Sequence, residues 1–141
     1  MRIQRTVTSP RPIEEVFAYL ADFTNTDEWD PGTIRTTRQS GDGGVGSRYL
    51  NVSRFMGRRT ELTYEVLELH SPARLRLRGE NKTVVAVDTM TLTPTATGGT
   101  AMTYTADFTF KGLAKLIAPF TTPAFKKLGD EAQASLRRIL G

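Results

Sequence analysis

The sequence predicts an α+β fold in which a seven-stranded, curved antiparallel sheet wraps around a long C-terminal helix. Two observations support this prediction. After residue 32 the apolar residues change from a helical period to a period of two, and short turns separate the alternating stretches. The end of the chain then returns to a helical period. A chain of 141 residues is expected to form one domain, residues 1–141, with one substantial core.

The first elements are a strand and two short helices. Residues 3–8, "IQRTVT", alternate as a strand does. Pro12 suits the first turn of a helix, and "IEEVFAYLADF" then carries its apolar residues at helical spacing. The polar stretch "TNTDEWDPG" predicts one or two further helical turns that end at Pro31-Gly32. Its Trp29 is expected either in the core or at the mouth of a cavity.

Six further strands are predicted from the alternation, near residues 33–39, 46–55, 59–69, 74–80, 83–93 and 101–110. Short turns between successive strands indicate an antiparallel meander. The glycine-rich loop "SGDGGVG" lacks the Gly-Lys-Ser/Thr ending of a phosphate-binding loop and joins two strands, so it is interpreted as a hairpin loop.

The last element is a long amphipathic helix. Its apolar stripe consists of Leu116, Ile117, Phe120, Phe125, Leu128, Ala132, Leu136 and Ile139. Pro119 should kink or restart this helix, and Thr122-Pro123 offers an N-cap followed by a favoured first position. Gly129 inside the pattern predicts a close approach to the sheet or to a ligand.

The composition removes several classes of chemistry. The chain has no cysteine and one histidine, His70, which lies beside the turn signal Ser71-Pro72. A histidine-based triad and a histidine- or cysteine-rich metal site would need partners that the chain lacks, so no catalytic set, metal or cofactor is predicted. No apolar run is long enough to span a bilayer, and the N-terminus lacks the pattern of a secretory signal. A cytoplasmic location is therefore expected.

The chain is basic, with a net charge of +4 and a pI near 9.7. Residues 35–82 hold ten basic and five acidic side chains. Several of these arginines alternate with leucines, as in "RLRLRG", which favours a solvated sheet face where arginines and glutamates interlace. Nucleic acid is therefore not expected as a partner. A basic interaction module for RNA, the ribosome or an anionic membrane remains as an alternative.

The order of elements and several local phrases resemble the START-like helix-grip superfamily, also called SRPBCC, and within it the polyketide cyclase/dehydrase-like proteins. The phrases are "PIEEVFAYLADFTNTDEWDPG", "GVGSRY", "GRRTELTYEVLELHSPARLRLRG" and "TLTPTATGGTAMTYTADF", followed by the final helix. The resemblance covers nearly the whole chain and implies a ligand cavity between the sheet and the last helix. It carries over no universal catalytic residue. Similar proteins include carriers of lipids and other hydrophobic molecules as well as aromatases and cyclases that act on polyketides.

Asp88 stands out in the stretch "VVAVDTMTL", because it shares a row with the apolar residues Val84, Ala86, Met90 and Leu92. If that row faces the helix, Asp88 faces the cavity and should either meet a donor or hold its proton. Tyr64, Tyr104, Asn51, Arg48 and Arg54 are the available donors. The other interpretation turns Val85 and Val87 inward and pairs Asp88 with Arg76 or Arg78 outside. The face of the strand from Arg48 to Met56 that lines the cavity is not fixed by its pattern.

The sequence therefore predicts binding of a small hydrophobic molecule, lipid- or polyketide-like, in a cavity. The predicted ligand-binding residues are Trp29, Asn51, Tyr64, Asp88, Met90, Met102, Tyr104, Phe108, Phe120 and Leu128. An enzyme of the polyketide cyclase/dehydratase type, in which Asp88 and the tyrosines move a proton, is the alternative.

Overall fold

A computed structural model describes residues 1–141 and contains one seven-stranded antiparallel sheet and three α-helices. The strands are β1 (Arg2–Ser9), β2 (Thr33–Ser40), β3 (Arg48–Phe55), β4 (Arg58–His70), β5 (Arg74–Glu80), β6 (Val84–Pro94) and β7 (Thr100–Phe110). The helices are α1 (Ile13–Ala21), α2 (Thr26–Trp29) and α3 (Ala114–Leu140), and a 3₁₀ turn (Phe23–Asn25) precedes α2. The strand order β1-β7-β6-β5-β4-β3-β2 is that of the helix-grip fold, which confirms the predicted architecture.

The sheet follows the sequence alternation closely. In β6 the residues Ala86, Asp88, Met90 and Leu92 are buried, whereas their neighbours along the strand are only partly buried or exposed. The inner face of the sheet is therefore the face toward α3. The glycine-rich stretch joins β2 to β3, as predicted, and His70 is exposed at the end of β4.

The core fills one end of this inner face. The buried side of α1 and the C-terminal half of α3 pack on the sheet there, and a single cluster joins them. Its members include Val16, Leu20, Leu75, Leu77, Met90, Leu92, Met102, Ala132, Leu136 and Leu140. Burial of these side chains supplies most of the hydrophobic stabilisation, at roughly 1.5–3 kcal/mol for each large apolar side chain.

Helix α3 differs from the prediction at its prolines. It runs without interruption from Ala114 to Leu140, so it does not restart at Pro119, and Thr122 does not cap it. No residue before Phe125 in this helix is buried. The backbone carbonyls that the two prolines leave unpaired therefore lie in a solvated segment, where water can satisfy them.

The other half of α3 is held close to β1. A Cβ added at Gly129 would lie 2.5 Å from Ile3 Cγ2, which is shorter than a van der Waals contact. The close approach predicted at Gly129 is thus an approach to the sheet.

The outer face of the sheet carries interlaced arginines and glutamates. Glu68 accepts from Arg74 Nε at 2.8 Å, and Arg76 Nη1 lies 3.5 Å from the same carboxylate. The hydrogen bond from Arg74 is the main cause of the lowered pKa of Glu68. Arg78 pairs with Glu80 at 2.9 Å. Arg74, Arg76 and Arg78 thus lie on a solvated sheet face where arginines and glutamates interlace, as the alternation indicated.

Candidate ligand-binding cavity

A cavity of about 710 Å³ occupies the end of the inner face that the core leaves free. It lies between the sheet and α3, where the N-terminal half of the helix stands away from the strands. Exposed residues of the β3–β4 turn and of α3 are part of its wall, so the cavity opens to solvent between these two elements. Such a volume is in the usual range for small-molecule sites, about 300–1,000 Å³.

Aromatic rings form much of the apolar wall. Phe125 is the first buried residue of α3, and its ring meets Phe55 at 4.4 Å and Phe108 at 4.5 Å between ring centroids. The ring of Phe110 lies 5.9 Å from the same ring. This cluster joins α3 to β3 and β7 around the cavity and gives it a rigid, apolar lining.

Asp88 points into this cavity from the middle of β6. The residue is only 6% exposed, and its register partners on the neighbouring strands are Leu77 and Ala106. The interpretation with Asp88 on the outer face is therefore wrong, because Arg76 pairs with Glu68 and Ala86 and Met90 occupy the buried row. The physical reason is the cost of exposing Met90 and Leu92 to water.

The Asp88 carboxyl group forms no hydrogen bond with a protein donor. Burial raises its pKa from 3.8 to about 8, and the charges of Asp30 and Asp107 add to this effect. The group therefore holds its proton at neutral pH and can donate a hydrogen bond into the cavity. An inward Asp88 was expected either to meet a donor or to hold its proton, and the lack of a donor together with the raised pKa favours the protonated form.

Two tyrosines face the same space. Tyr64 from β4 and Tyr104 from β7 both line the cavity, and neither hydroxyl has a hydrogen-bond partner in the protein. Burial raises the pKa of both hydroxyls, and the charge of Asp88 raises it further. The Tyr64 ring lies over Gly79, its register partner on β5. A Cβ added at Gly79 would be only 2.7 Å from the ring, so glycine leaves the space that the ring occupies.

A second carboxyl group, Asp30, lies at the cavity wall after α2. It accepts hydrogen bonds from the Thr33 hydroxyl at 2.8 Å and from the Gly32 backbone at 3.2 Å. Burial nevertheless raises its pKa, and the two hydrogen bonds oppose this shift only in part. Asp30 is not among the residues predicted from the sequence, where the stretch around it was interpreted only as one or two helical turns that end at Pro31-Gly32.

Strand β3 turns Asn51, Ser53 and Phe55 toward the cavity. Asn51 Nδ2 donates to the hydroxyl oxygens of Thr33 at 2.9 Å and Thr36 at 2.8 Å. Asn51 is therefore not the donor to Asp88. Its amide instead ties β3 to the edge strand β2 and shapes one side of the wall.

The two arginines proposed as donors also lie away from Asp88. Arg48 pairs with Glu65 at 3.1 Å on the outer face, and Arg54 is exposed at the rim of the cavity. A buried carboxyl group thus has no cation beside it, which agrees with its raised pKa.

Seven of the ten predicted site residues line the cavity. They are Asn51, Tyr64, Asp88, Tyr104, Phe108, Phe120 and Leu128. The structure places Trp29, Met90 and Met102 in the packed core instead. Met90 and Met102 share the inward face with Asp88 and Tyr104, but they lie nearer the end of the sheet that α1 and the C-terminal half of α3 fill.

Trp29 is 2% exposed and packs edge-on against the Tyr104 ring at 5.5 Å between centroids. It therefore supports one wall residue from behind, and its indole N–H has no hydrogen-bond acceptor. Phe55, Phe110 and Phe125 line the cavity as well and, like Asp30, were not predicted as site residues. The inward row of β7 and the apolar stripe of α3 were signals for the last two.

Two further features of the structure bear on the class of site. No group of three or more histidine, aspartate or glutamate side chains is placed to hold a metal ion. None of the helices combines the length and hydropathy that a bilayer-spanning helix needs.

The comparison with solved structures gives similarity over the whole fold at low sequence identity. A START superfamily protein from Mycobacterium smegmatis is 12% identical with a TM-score of 0.81, covering 99% of this chain and 96% of that one. The Zhui aromatase/cyclase from Streptomyces sp. R1128 is 13% identical with a TM-score of 0.84, covering 99% and 93%. A protein from Thermus thermophilus is 15% identical with a TM-score of 0.79, covering 99% and 95%. At these identities the likeness establishes the fold alone.

None of the curated proteins compared with the chain is similar enough to count as a relative. The family model described as "Polyketide cyclase / dehydrase and lipid transport" matches residues 1–141. The seven-stranded sheet, the long helix α3 and the cavity between them agree with that match, and the chain belongs to this family.

Proposed function

We propose that the protein binds a small hydrophobic molecule, lipid- or polyketide-like, in the cavity between the sheet and α3 and does not transform it. The observation that carries this proposal is an apolar cavity of about 710 Å³ in which three polar groups have no partner in the protein. Apolar walls supply affinity, and a few converging polar groups fix the orientation of a ligand.

The polar groups narrow the chemistry of that ligand. At neutral pH the protonated Asp88 donates a hydrogen bond, and the hydroxyls of Tyr64 and Tyr104 can donate or accept. A carbonyl or hydroxyl group on an otherwise hydrophobic molecule matches this set. A carboxylate placed beside Asp88 would raise the pKa of both acids and bind less well.

A cavity-filling variant tests the site. Ala106 lies on the inner face of β7 and lines the cavity, so Ala106→Phe places a ring in the ligand space. Its matched control is Ala101→Phe, on the outer face of the same strand. Organic extracts of each purified protein, analysed by mass spectrometry, identify any bound molecule, and titration with that molecule or with a fluorescent lipid gives the affinity.

We expect the Ala106 variant to lose bound molecules and at least tenfold in affinity, while the control retains both. Unchanged affinity in a folded Ala106 variant would place the ligand outside this cavity and refute the proposal.

A second candidate is an enzyme of the polyketide cyclase/dehydratase type. The observation in its favour is a carboxylic acid kept protonated near pH 7 beside two free tyrosine hydroxyls, a set that can donate a proton to a carbonyl oxygen and take it back. The variant Asp88→Asn separates the two candidates. Lost turnover with intact binding supports an enzyme, and intact binding with no turnover in either protein supports a carrier.

A further inference from the structure

Three segments surround the mouth of the cavity, and we call them together the mouth surface. They are the tip of the β3–β4 hairpin (residues 54–59), the turn between β5 and β6 (residues 81–83) and the start of α3 with the turn before it (residues 111–121). Each of the three contributes residues to the cavity wall. They therefore lie around one opening, although they are far apart in sequence.

The start of α3 exposes an apolar stripe. Leu113, Leu116, Ile117 and Phe120 follow the spacing of one helical face, and they are 83%, 70%, 62% and 79% exposed. In a surface helix of a globular protein this face normally packs on the core. Here it faces solvent at the cavity mouth, where Ile117 and Phe120 also form part of the wall.

The hairpin opposite presents another apolar side chain at its tip. Met56 is 63% exposed and has a φ of 53°, and Gly57 after it has a φ of 78°. A two-residue turn with both φ angles positive favours Asn-Gly, and a bulky side chain at the first position is strained. Strained, exposed positions of this kind concentrate where a side chain has a function.

The charges of the mouth surface all have one sign. Its segments contain six cationic residues and no acidic residue, the cations being Arg54, Arg58, Arg59, Lys82, Lys111 and Lys115. Only two of them have carboxylate partners, Arg59 with Glu61 at 3.5 Å and Lys111 with Glu80. The remaining four cations have no carboxylate within ion-pair distance.

We propose that the mouth surface docks on a membrane that contains anionic lipids. Exposed apolar side chains flanked by lysines and arginines are the composition of interfacial membrane-binding segments. In this arrangement the α3 stripe and Met56 insert among the lipid headgroups, and the cations contact the lipid phosphates. A hydrophobic ligand then passes between bilayer and cavity without crossing water.

The charge pattern favours a membrane over a second copy of the chain. Two mouth surfaces that faced each other would bring together unpaired cations with no opposing carboxylate. An anionic bilayer supplies the missing negative charge and an apolar phase for the stripe. Docking of this kind involves the outside of the molecule, and it is independent of what the cavity holds.

Flotation with vesicles tests the proposal. The purified protein is mixed with vesicles of phosphatidylcholine alone or of phosphatidylcholine with phosphatidylglycerol, at low and at high salt. We expect binding to the anionic vesicles, weaker binding to the neutral ones, and a marked loss at high salt. Each lysine or arginine near the surface of an anionic membrane changes the affinity for that membrane about fivefold. Lys115→Glu should therefore weaken vesicle binding by about fivefold or more.

Apolar variants have matched controls elsewhere on the chain. Phe120→Ser should reduce vesicle binding about tenfold, since an exposed side chain of this size enters the lipid. Val45→Ser alters an equally exposed apolar residue, 67% exposed, in the β2–β3 loop, and Arg35→Glu reverses an exposed charge on β2. Neither control should change the affinity for anionic vesicles by more than about twofold.

Met56→Asn distinguishes function from stability. Asparagine suits the left-handed backbone of the turn, so this variant should raise the melting temperature and lower vesicle affinity together. Absence of vesicle binding by the wild type, or equal losses in the controls, overturns the proposal. So does a dimer in analytical ultracentrifugation that Phe120→Ser dissociates while vesicles remain unbound, since the surface then belongs to a second copy.

Discussion

Replacement of Asp88 by asparagine should stabilise the protein, and the gain should grow with pH. The pKa of Asp88 rises from 3.8 to about 8 on folding, mainly because burial disfavours the charged form. Below pH 4 the carboxyl group is protonated in both the folded and the unfolded state, so the substitution changes this contribution little. Between pH 4 and pH 8 only the unfolded state loses the proton, and the wild type loses stability as the pH rises.

The size of the effect follows from that shift. Each pKa unit corresponds to about 1.4 kcal/mol, so the interval from 3.8 to pH 7 gives at most about 4 kcal/mol, and the full interval to pH 8 about 6 kcal/mol. Asparagine has nearly the same shape and no charge. The free energy of unfolding of Asp88→Asn minus that of the wild type should therefore be near zero at pH 4, rise steadily, and level off above pH 8.

Urea denaturation of both proteins across this pH range measures the difference directly. Glu65→Gln is the control, because Glu65 lies on the outer face of β4 and pairs with Arg48 at 3.1 Å. Loss of such an exposed pair should change stability by less than about 1 kcal/mol. A difference between Asp88→Asn and the wild type that stays flat from pH 4 to pH 8 would show that the buried carboxyl group ionises as it does in water, and the assignment of Asp88 as a neutral donor would be wrong.

The same carboxyl group should make ligand binding depend on pH. A ligand that accepts a hydrogen bond from Asp88 should bind less tightly as the pH rises through 8, and the dependence should be absent in Asp88→Asn, as titration calorimetry at several pH values can measure. Gly79→Ala should cost about 1–3 kcal/mol and displace the Tyr64 ring, since the new methyl group would meet it at 2.7 Å; thermal unfolding and loss of ligand affinity check this. Gly129→Ala should also destabilise, by about 1–3 kcal/mol in urea, since the contact with Ile3 outweighs the gain in helix propensity; higher stability would contradict the close packing of α3 on β1.

The sequence could predict which side chains of β6 and β7 face inward, because apolar and polar residues alternate along these strands. Exposure of Met90 and Leu92 would cost several kcal/mol, and that cost alone set the direction of Asp88. The alternation does not show which part of the inner face is covered by packed helices and which part borders the cavity. Met90 and Met102 were therefore predicted in the cavity wall, whereas the positions of α1 and α3 put them in the core.

Interactions between distant elements account for most of what the sequence could not show. The inward face of β3 depends on hydrogen bonds from Asn51 to Thr33 and Thr36, and no pattern within β3 reveals those partners. A kink or a restart of the helix was predicted at Pro119, because proline removes a helical hydrogen bond. The helix continues because its first turns are solvated, so water can bond to the unpaired carbonyls. These turns are solvated because they border the cavity instead of packing on the sheet.

The packed core and the cavity occupy different ends of the sheet, and this separation affects which substitutions the protein can accept during evolution. Side chains that line the cavity contact few neighbours on their inner side. Substitution of one wall residue by another therefore alters the shape of the cavity with only a small loss in the free energy of unfolding. The tightly packed end has no such freedom. A scaffold divided in this way can acquire new ligand preferences step by step while its backbone stays the same, and such a division is compatible with similar folds at 12–15% identity.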